Sequence, residues 1–350
     1  MSPQPVNFRA PLPMPTGAPP RTTTEPARWQ RELAAAIRDP AELCRELGLD
    51  ASLAADASRA AAGFPLLVPR GFVARMRPGD PADPLLLQVL PRAAEADSAP
   101  GFTTDPVGEL AAVAAPGIVR KYAGRALLLV TGGCAVNCRY CFRREFPYAE
   151  AGAAPAAVDA ALDHVAADDS LSEVILSGGD PLLVDDARLA ALLARLDAIG
   201  HVRRLRIHTR LPVVLPSRVT PGLVATLASS RLSCVVVIHA NHAAELDADV
   251  AAAIGRLAAS PALVLNQAVL LAGVNDSVEA LAALSERLVD CGVLPYYLHL
   301  LDRVHGAAHF EVAEPRAHEL HAALRDRLPG YAVPRLVREV PGEPAKHWVA

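Results

Sequence analysis

Cys134, Cys138 and Cys141 stand within eight residues of one another in the run LLLVTGGCAVNCRYCFRREFPY and make up half of the chain's six cysteines. A Cys-x3-Cys-x2-Cys loop offers three thiolates at a spacing that reaches three irons of one cubane, leaving the fourth iron open to a small molecule. A structural zinc site usually closes its tetrahedron with a fourth Cys or His. An electron-carrying 4Fe-4S cluster usually takes four thiolates, and no fourth cysteine lies nearby. Three unrelated thiols are the plainer alternative, and their clustering speaks against it. Two further features could do chemistry. Of 34 basic residues only Lys121 and Lys346 are lysines. Arginine keeps its charge, whereas a desolvated lysine can form a Schiff base with a carbonyl. Ser177-Gly178-Gly179-Asp180 follows an apolar run, and two glycines there let backbone approach a ligand closely. An ordinary turn is the plainer reading of that tetrapeptide.

These residues need a scaffold, and the pattern from Arg125 onward predicts one. Apolar, β-branched runs at 126–130, 173–180, 204–210, 233–240, 262–271 and 294–302 alternate with helix-like stretches at 155–167, 185–199, 220–229, 244–259 and 277–290. Such alternation indicates βαβ units around a parallel sheet. Six units predict an α/β fold, an open (β/α)6 barrel that is three-quarters of a full (β/α)8 barrel, with its site at the C-terminal strand ends. The cysteine loop follows the first of these strands. We divide the chain into an extended or disordered N-terminus (1–25), an N-terminal helical region (26–120), the barrel core (121–310) and a C-terminal helix and tail (311–350). In the helical region, residues 26–49 read as two helices broken at Pro40, and a third runs through Ala62. The last helix is expected over 313–328.

Composition narrows the class. A net charge of −4 and 350 residues give no global electrostatic case for nucleic acid or an anionic membrane. No apolar run of about 18 residues suggests a transmembrane span, and the N-terminus lacks the pattern of a signal peptide. Six cysteines without an even framework suggest a reducing, cytoplasmic setting. Cys44, Cys234 and Cys291 read as small buried hydrophobes. His208, His239, His242 and His299 fall near strand ends, and the sequence assigns them no role.

The cysteine motif followed by an aromatic resembles the radical S-adenosylmethionine (SAM) superfamily, in which SAM chelates the open iron. The Gly-Gly-Asp turn resembles the element that holds its methionyl amino group. The segments CAVNCRYCFRREFPYAE, ILSGGDPL, LRIHTRLPVVLPSR, NQAVLL, GVND, GVLPYYLHLLDRVHGAAHF and GYAVPRLVREVPGEPAK resemble lysine 2,3-aminomutases. They resemble more closely the branch acting in β-lysylation of elongation factor P. The likeness runs from about residue 26 to Lys346.

The resemblance implies three cofactors: a 4Fe-4S cluster on Cys134, Cys138 and Cys141, SAM at Ser177, Gly178, Gly179 and Asp180, and pyridoxal 5′-phosphate (PLP) on Lys346. It assigns Arg125 and Lys121 to the PLP phosphate, with Tyr122 against the cofactor, and Arg143, ahead of Arg144, to the substrate carboxylate. Asp276 in GVND and Glu339 would hold the distal ammonium of L-lysine. A 5′-deoxyadenosyl radical would take hydrogen from C3 while nitrogen migrates from C2 to C3, giving β-lysine. The implied partners are L-lysine, a flavodoxin- or ferredoxin-type reductant, and, functionally, elongation factor P with its β-lysine ligase. Homo-oligomerisation is left open. Two alternatives stand beside this reading: an aminomutase for glutamate or arginine, and a catalytically silent Fe–S or zinc protein that binds elongation factor P. Two acids at the distal end would repel glutamate. Glu145 beside the substrate arginine and the four residues after Lys346 depart from the family pattern.

Overall fold

The computed structural model describes residues 27–153 and 157–350. The expected disorder at 1–25 and the first residues of the helix at 155–167 lie outside the described residues. Ten strands form one sheet in chain order. They are β1 (Val113–Ala115), β2 (Ile118–Val119), β3 (Arg125–Thr131), β4 (Glu173–Gly178), β5 (Arg204–Thr209), β6 (Ser233–Ile238), β7 (Leu263–Val269), β8 (Leu294–His299), β9 (Arg335–Arg338) and β10 (His347–Trp348). The six expected strands are β3 to β8, each parallel to the next. The tail adds β9 as a further parallel strand on β8. Antiparallel β2 and β10 flank the parallel part.

Helices connect the parallel strands as the alternation predicts, and their starts are set by caps readable in the sequence. Asp185, Thr220, Asp247 and Ser277 each accept a backbone N–H of the first turn of the helix that follows, which satisfies one of the unpaired donors there. Pro40 opens the helix Pro40–Glu46 behind the Asp39 cap, a position where its missing N–H costs nothing. The strands also end sooner than the apolar runs do. Asp180, Arg210, His239 and Asp302 lie just past the C-terminal ends of β4, β5, β6 and β8, where a site is built in this architecture.

Successive side chains on a strand point to opposite faces. Ala126, Leu128, Val174, Leu176, Leu205, Ile207, Val236, Val264, Leu298 and Leu336 join the helices in one continuous core. Trp29, Leu43, Phe72 and Leu86 of the N-terminal region belong to that same core. The alternate positions carry Arg125, Ser177, Arg206, His208, His239, Gln267, Tyr297 and His299. A closed barrel fills that inner face with branched apolar side chains; here polar side chains share it with Leu129, Ile175, Val237 and Val337. Gln267 contacts the His239 ring nitrogen at 2.9 Å, and the His208 and His239 rings lie 6.1 Å apart. Among the described residues no helix is long and apolar enough to cross a membrane.

Candidate active site

The β3–β4 ladder shifts register between Leu129 and Thr131, a bulge of the kind that re-aims a chain beside a site. The cysteine loop leaves the sheet there. Burial pushes the Cys134 thiol far above its usual range, with its two sister cysteines adding to the effect, and pushes Cys141 up to about 11, aided by Cys138. Cys134 and Cys141 therefore each feel the charge of a neighbouring thiol, and a cation is what would stabilise their thiolates. Among the described residues no three His, Cys, Asp or Glu side chains converge on a single-ion site. Three coupled thiols on one loop form a donor set that fits a cluster with one iron left to a non-protein ligand.

The Ser177–Asp180 turn is bound to this loop by backbone. The Gly179 N–H donates to Thr131 O at 2.7 Å, and the Asp180 N–H donates to Gly133 O at 2.8 Å. Gly178 has φ +123°, and a Cβ on it would lie 2.2 Å from Thr131 O; one on Gly179 would lie 1.9 Å from Gly133 O. Both glycines are thus required by the contact between the two strand ends. The Asp180 carboxylate accepts from Thr209 and from the backbone N–H groups of Leu182, Arg210 and Leu211. Desolvation of this buried group raises its pKa to about 6. Asp180 therefore braces the turn.

Arg143 is buried and joins the same turn. Its Nε and Nη2 grip Glu109 at 2.6 and 2.7 Å, while Nη1 donates to Ser177 Oγ and Gly178 O at 2.8 and 2.9 Å. A guanidinium carries five N–H donors, so one remains, on Nη2. Arg144 points elsewhere, pairing with Glu95 at 2.8 Å over the Phe64 ring. Glu145 lies at the half-exposed rim, 3.7 Å from His305.

The second cluster assembles residues far apart in the chain. Lys346 Nζ ion-pairs with Glu339, whose other oxygen meets Lys121 Nζ at 2.6 Å and accepts from Tyr122 Oη. Burial would raise the Glu339 pKa, but Lys346 and Lys121 outweigh it and hold the carboxyl down to about 2. The Arg125 guanidinium lies over the Tyr122 ring at 4.9 Å and has no carboxylate partner among the described residues. Lys346 Nζ lies 5.9 Å from the Tyr297 ring centre. An amine able to condense with an aldehyde, an unpaired guanidinium and two aromatic faces together fit PLP. Phosphate suits the guanidinium, and the rings suit a pyridine.

Sequence reading missed three residues here. Glu109 is the partner of Arg143, and Arg210 contacts Cys138 Sγ at 2.6 Å. Asp302 shares the field of Lys346: burial raises its carboxyl to about 7, and Lys346, Glu339, Lys121 and Glu109 are the charges that act on it most. A cavity of about 600 Å³ is lined by Asp302, Glu339, Arg338, Thr103 and Asp105 among others. Asp276 differs. It sits in the turn before the helix Val278–Asp290, with no hydrogen-bond or ion-pair partner among the described residues. It is not among the charges that act most on Glu339 or Asp302. The residue in that turn with structural contacts is Asn275, which bridges Leu271, Asn241 and Val269.

Comparison with known proteins fits this geometry. Residues 128–256 match the model of the radical SAM superfamily. The chain is 50% identical to the L-lysine 2,3-aminomutase of Escherichia coli strain K12 over 93% of its own length and 96% of that protein. It is 46% identical to the L-lysine 2,3-aminomutase of Haemophilus influenzae and 42% identical to that of Buchnera aphidicola. Both alignments cover 92% of this chain and 95% of the relative.

Proposed function

We propose, from the membership of this chain in the L-lysine 2,3-aminomutase family of radical SAM enzymes, that it converts L-lysine to β-lysine by moving nitrogen from C2 to C3. The observation that carries the reading is the convergence of Lys346, Glu339 and Lys121, with Asp302 in their field, in a chain that also carries a loop of three thiols. When bound, the reduced cluster with SAM supplies a carbon radical that takes and returns hydrogen at C3, and PLP supplies the carbonyl that carries the migrating nitrogen.

The chain's own residues do the rest. Cys134, Cys138 and Cys141 hold three irons. The Ser177–Asp180 turn, braced by Asp180 and Arg143, would hold SAM. Lys346 would hold PLP through its side-chain amine. Arg125 and Lys121 take the phosphate, and Tyr122 lies against the cofactor. The substrate carboxylate meets the remaining Nη2–H of Arg143, so Glu109 fixes this arginine as a single-donor contact. The distal ammonium lies between Glu339 and Asp302, in place of the pair with Asp276. Two buried acids discriminate for lysine, because an apolar substrate would leave carboxylates unpaired and glutamate would be repelled.

The electron comes from a flavodoxin- or ferredoxin-type donor in the cytoplasm, and the product serves a β-lysine ligase acting on elongation factor P. Anaerobically reconstituted protein, given L-lysine, SAM and a reductant, is expected to yield β-lysine and to bind about four irons per chain. Iron and PLP uptake without β-lysine formation would overturn the assignment.

A further inference from the structure

Arg210 sits at the first position beyond β5, only 6% exposed. Its Nη1 lies 2.6 Å from Cys138 Sγ and 2.6 Å from Tyr140 Oη, and its Nη2 donates to Gln88 Oε1 at 2.7 Å and to Glu245 Oε2 at 3.0 Å. Its backbone N–H is held by Asp180 at 2.7 Å. Glu245 is fully buried and fixed in turn, since its Oε1 accepts from Gln88 and from the backbone N–H groups of Asn241 and His242. A permanent cation is thus clamped against one of the three thiols. Its counter-charge, Glu245, binds the other terminal nitrogen.

We propose that Arg210 tunes the reduction potential of the cluster, with Glu245 attenuating its charge. The inference rests on the reading that Cys138 is a cluster ligand. Reduction adds one electron to the cluster, taken from a one-electron donor of the flavodoxin or ferredoxin class, with no proton moved and no bond made or broken. A fixed positive charge at hydrogen-bonding distance from a ligand sulfur stabilises the added negative charge and so raises the potential. Hydrogen bonds to the sulfurs and local charge are the levers a protein has over such clusters. Arg210 touches neither substrate nor reacting atoms; it acts through Cys138.

The test is a spectroelectrochemical titration of the reconstituted 4Fe-4S protein with viologen mediators, alongside iron analysis of each variant. Arg210→Gln is expected to make reduction at least tenfold less favourable at equal iron content, about 59 mV more negative for a one-electron couple. Arg210→Lys keeps the charge and should move the potential less. Glu245→Gln removes the attenuating charge and should move it the opposite way, to less negative values. A purely structural role predicts shifts of one sign, accompanied by loss of iron.

An unshifted Arg210→Gln potential at full iron content overturns the proposal. So does a Glu245→Gln shift toward more negative values. Should Arg210→Gln fail to hold iron, the sign of the Glu245→Gln shift decides: a positive shift supports the proposal and any other result overturns it. Wild-type protein that takes up no iron would sink the cluster reading instead, which keeps the two failures distinct.

Discussion

Asp302 carries the most quantitative consequence of the site. Its carboxyl titrates near 7 in the lysine-free protein, because burial opposes its charge more than Lys346 relieves it. A carboxyl raised above its unfolded value binds more protons folded than unfolded, so its contribution to stability falls as pH rises from about 4 through 7. An incoming ammonium reverses that balance. At about 4 Å and an effective dielectric near 20 the attraction is about 4 kcal/mol, or roughly three pK units. L-lysine binding should therefore strip the proton from Asp302, releasing most of a proton at pH 6 and a smaller fraction as pH rises. Calorimetric titration of the PLP-loaded protein in two buffers of different ionisation enthalpy counts those protons. Asp302→Asn keeps the shape and removes the titration, so the difference between the two proteins isolates this group from protons that the cofactor's own exchange releases. The same variant leaves a buried ammonium short of one partner, costing about 2–5 kcal/mol and weakening lysine binding at least tenfold. Equal proton counts in the two proteins, or wild-type affinity in Asp302→Asn, would refute the reasoning.

Lys346→Arg keeps the positive charge beside Glu339 but cannot condense with an aldehyde. It should fold and hold its cluster yet lose covalently retained PLP, and a visible cofactor band surviving gel filtration would contradict this. Gly179→Ala drives a methyl into the Gly133 carbonyl, which should destabilise the protein by about 1–3 kcal/mol and lower iron retention. Calorimetry and iron analysis read both effects, and wild-type values in each would show that the strand-end contact is not what fixes the cysteine loop.

What could be read in the sequence was local. The thiols lie within eight residues, the strands are short apolar runs, and Lys346 stands out because the chain has only one other lysine. What could not be read was pairing across distance. Glu109 precedes Arg143 by 34 residues, and Tyr122 precedes Glu339 by 217; no periodicity encodes such partners. Asp302 was hidden because the run 294–302 reads as continuous strand, although β8 ends at His299 and the chain turns toward Lys346. Strand β9 was hidden for the opposite reason. Its four residues lie in a Gly- and Pro-rich tail, and only pairing with β8 makes them a strand. The Ser177–Asp180 turn shows a subtler limit. Its glycines mark a close approach, as the sequence suggests, but the approaching group is the chain's own backbone at Thr131 and Gly133.

Charge pairing inside the site bears on how it excludes the wrong ligand. In the lysine-free chain Glu339 is neutralised by two ammonium groups, those of Lys346 and Lys121. On the proposed role of Lys346, holding PLP would remove one of them and leave the carboxylate with the single cation of Lys121 until substrate displaces the lysine. A carboxylate so placed favours any ligand that restores the lost ammonium, and the substrate's distal ammonium has that chemistry. Arg143 shows the same economy from the other side. Glu109 already balances its charge, so a substrate carboxylate arriving at the last N–H brings a negative charge that only a cation elsewhere on the same molecule can offset. A monocation or a dicarboxylate satisfies one end and leaves the other unbalanced. On the proposed roles of Glu339 and Arg143, selection for lysine would follow from charges that the protein has paired within itself, which the substrate must match at both ends at once.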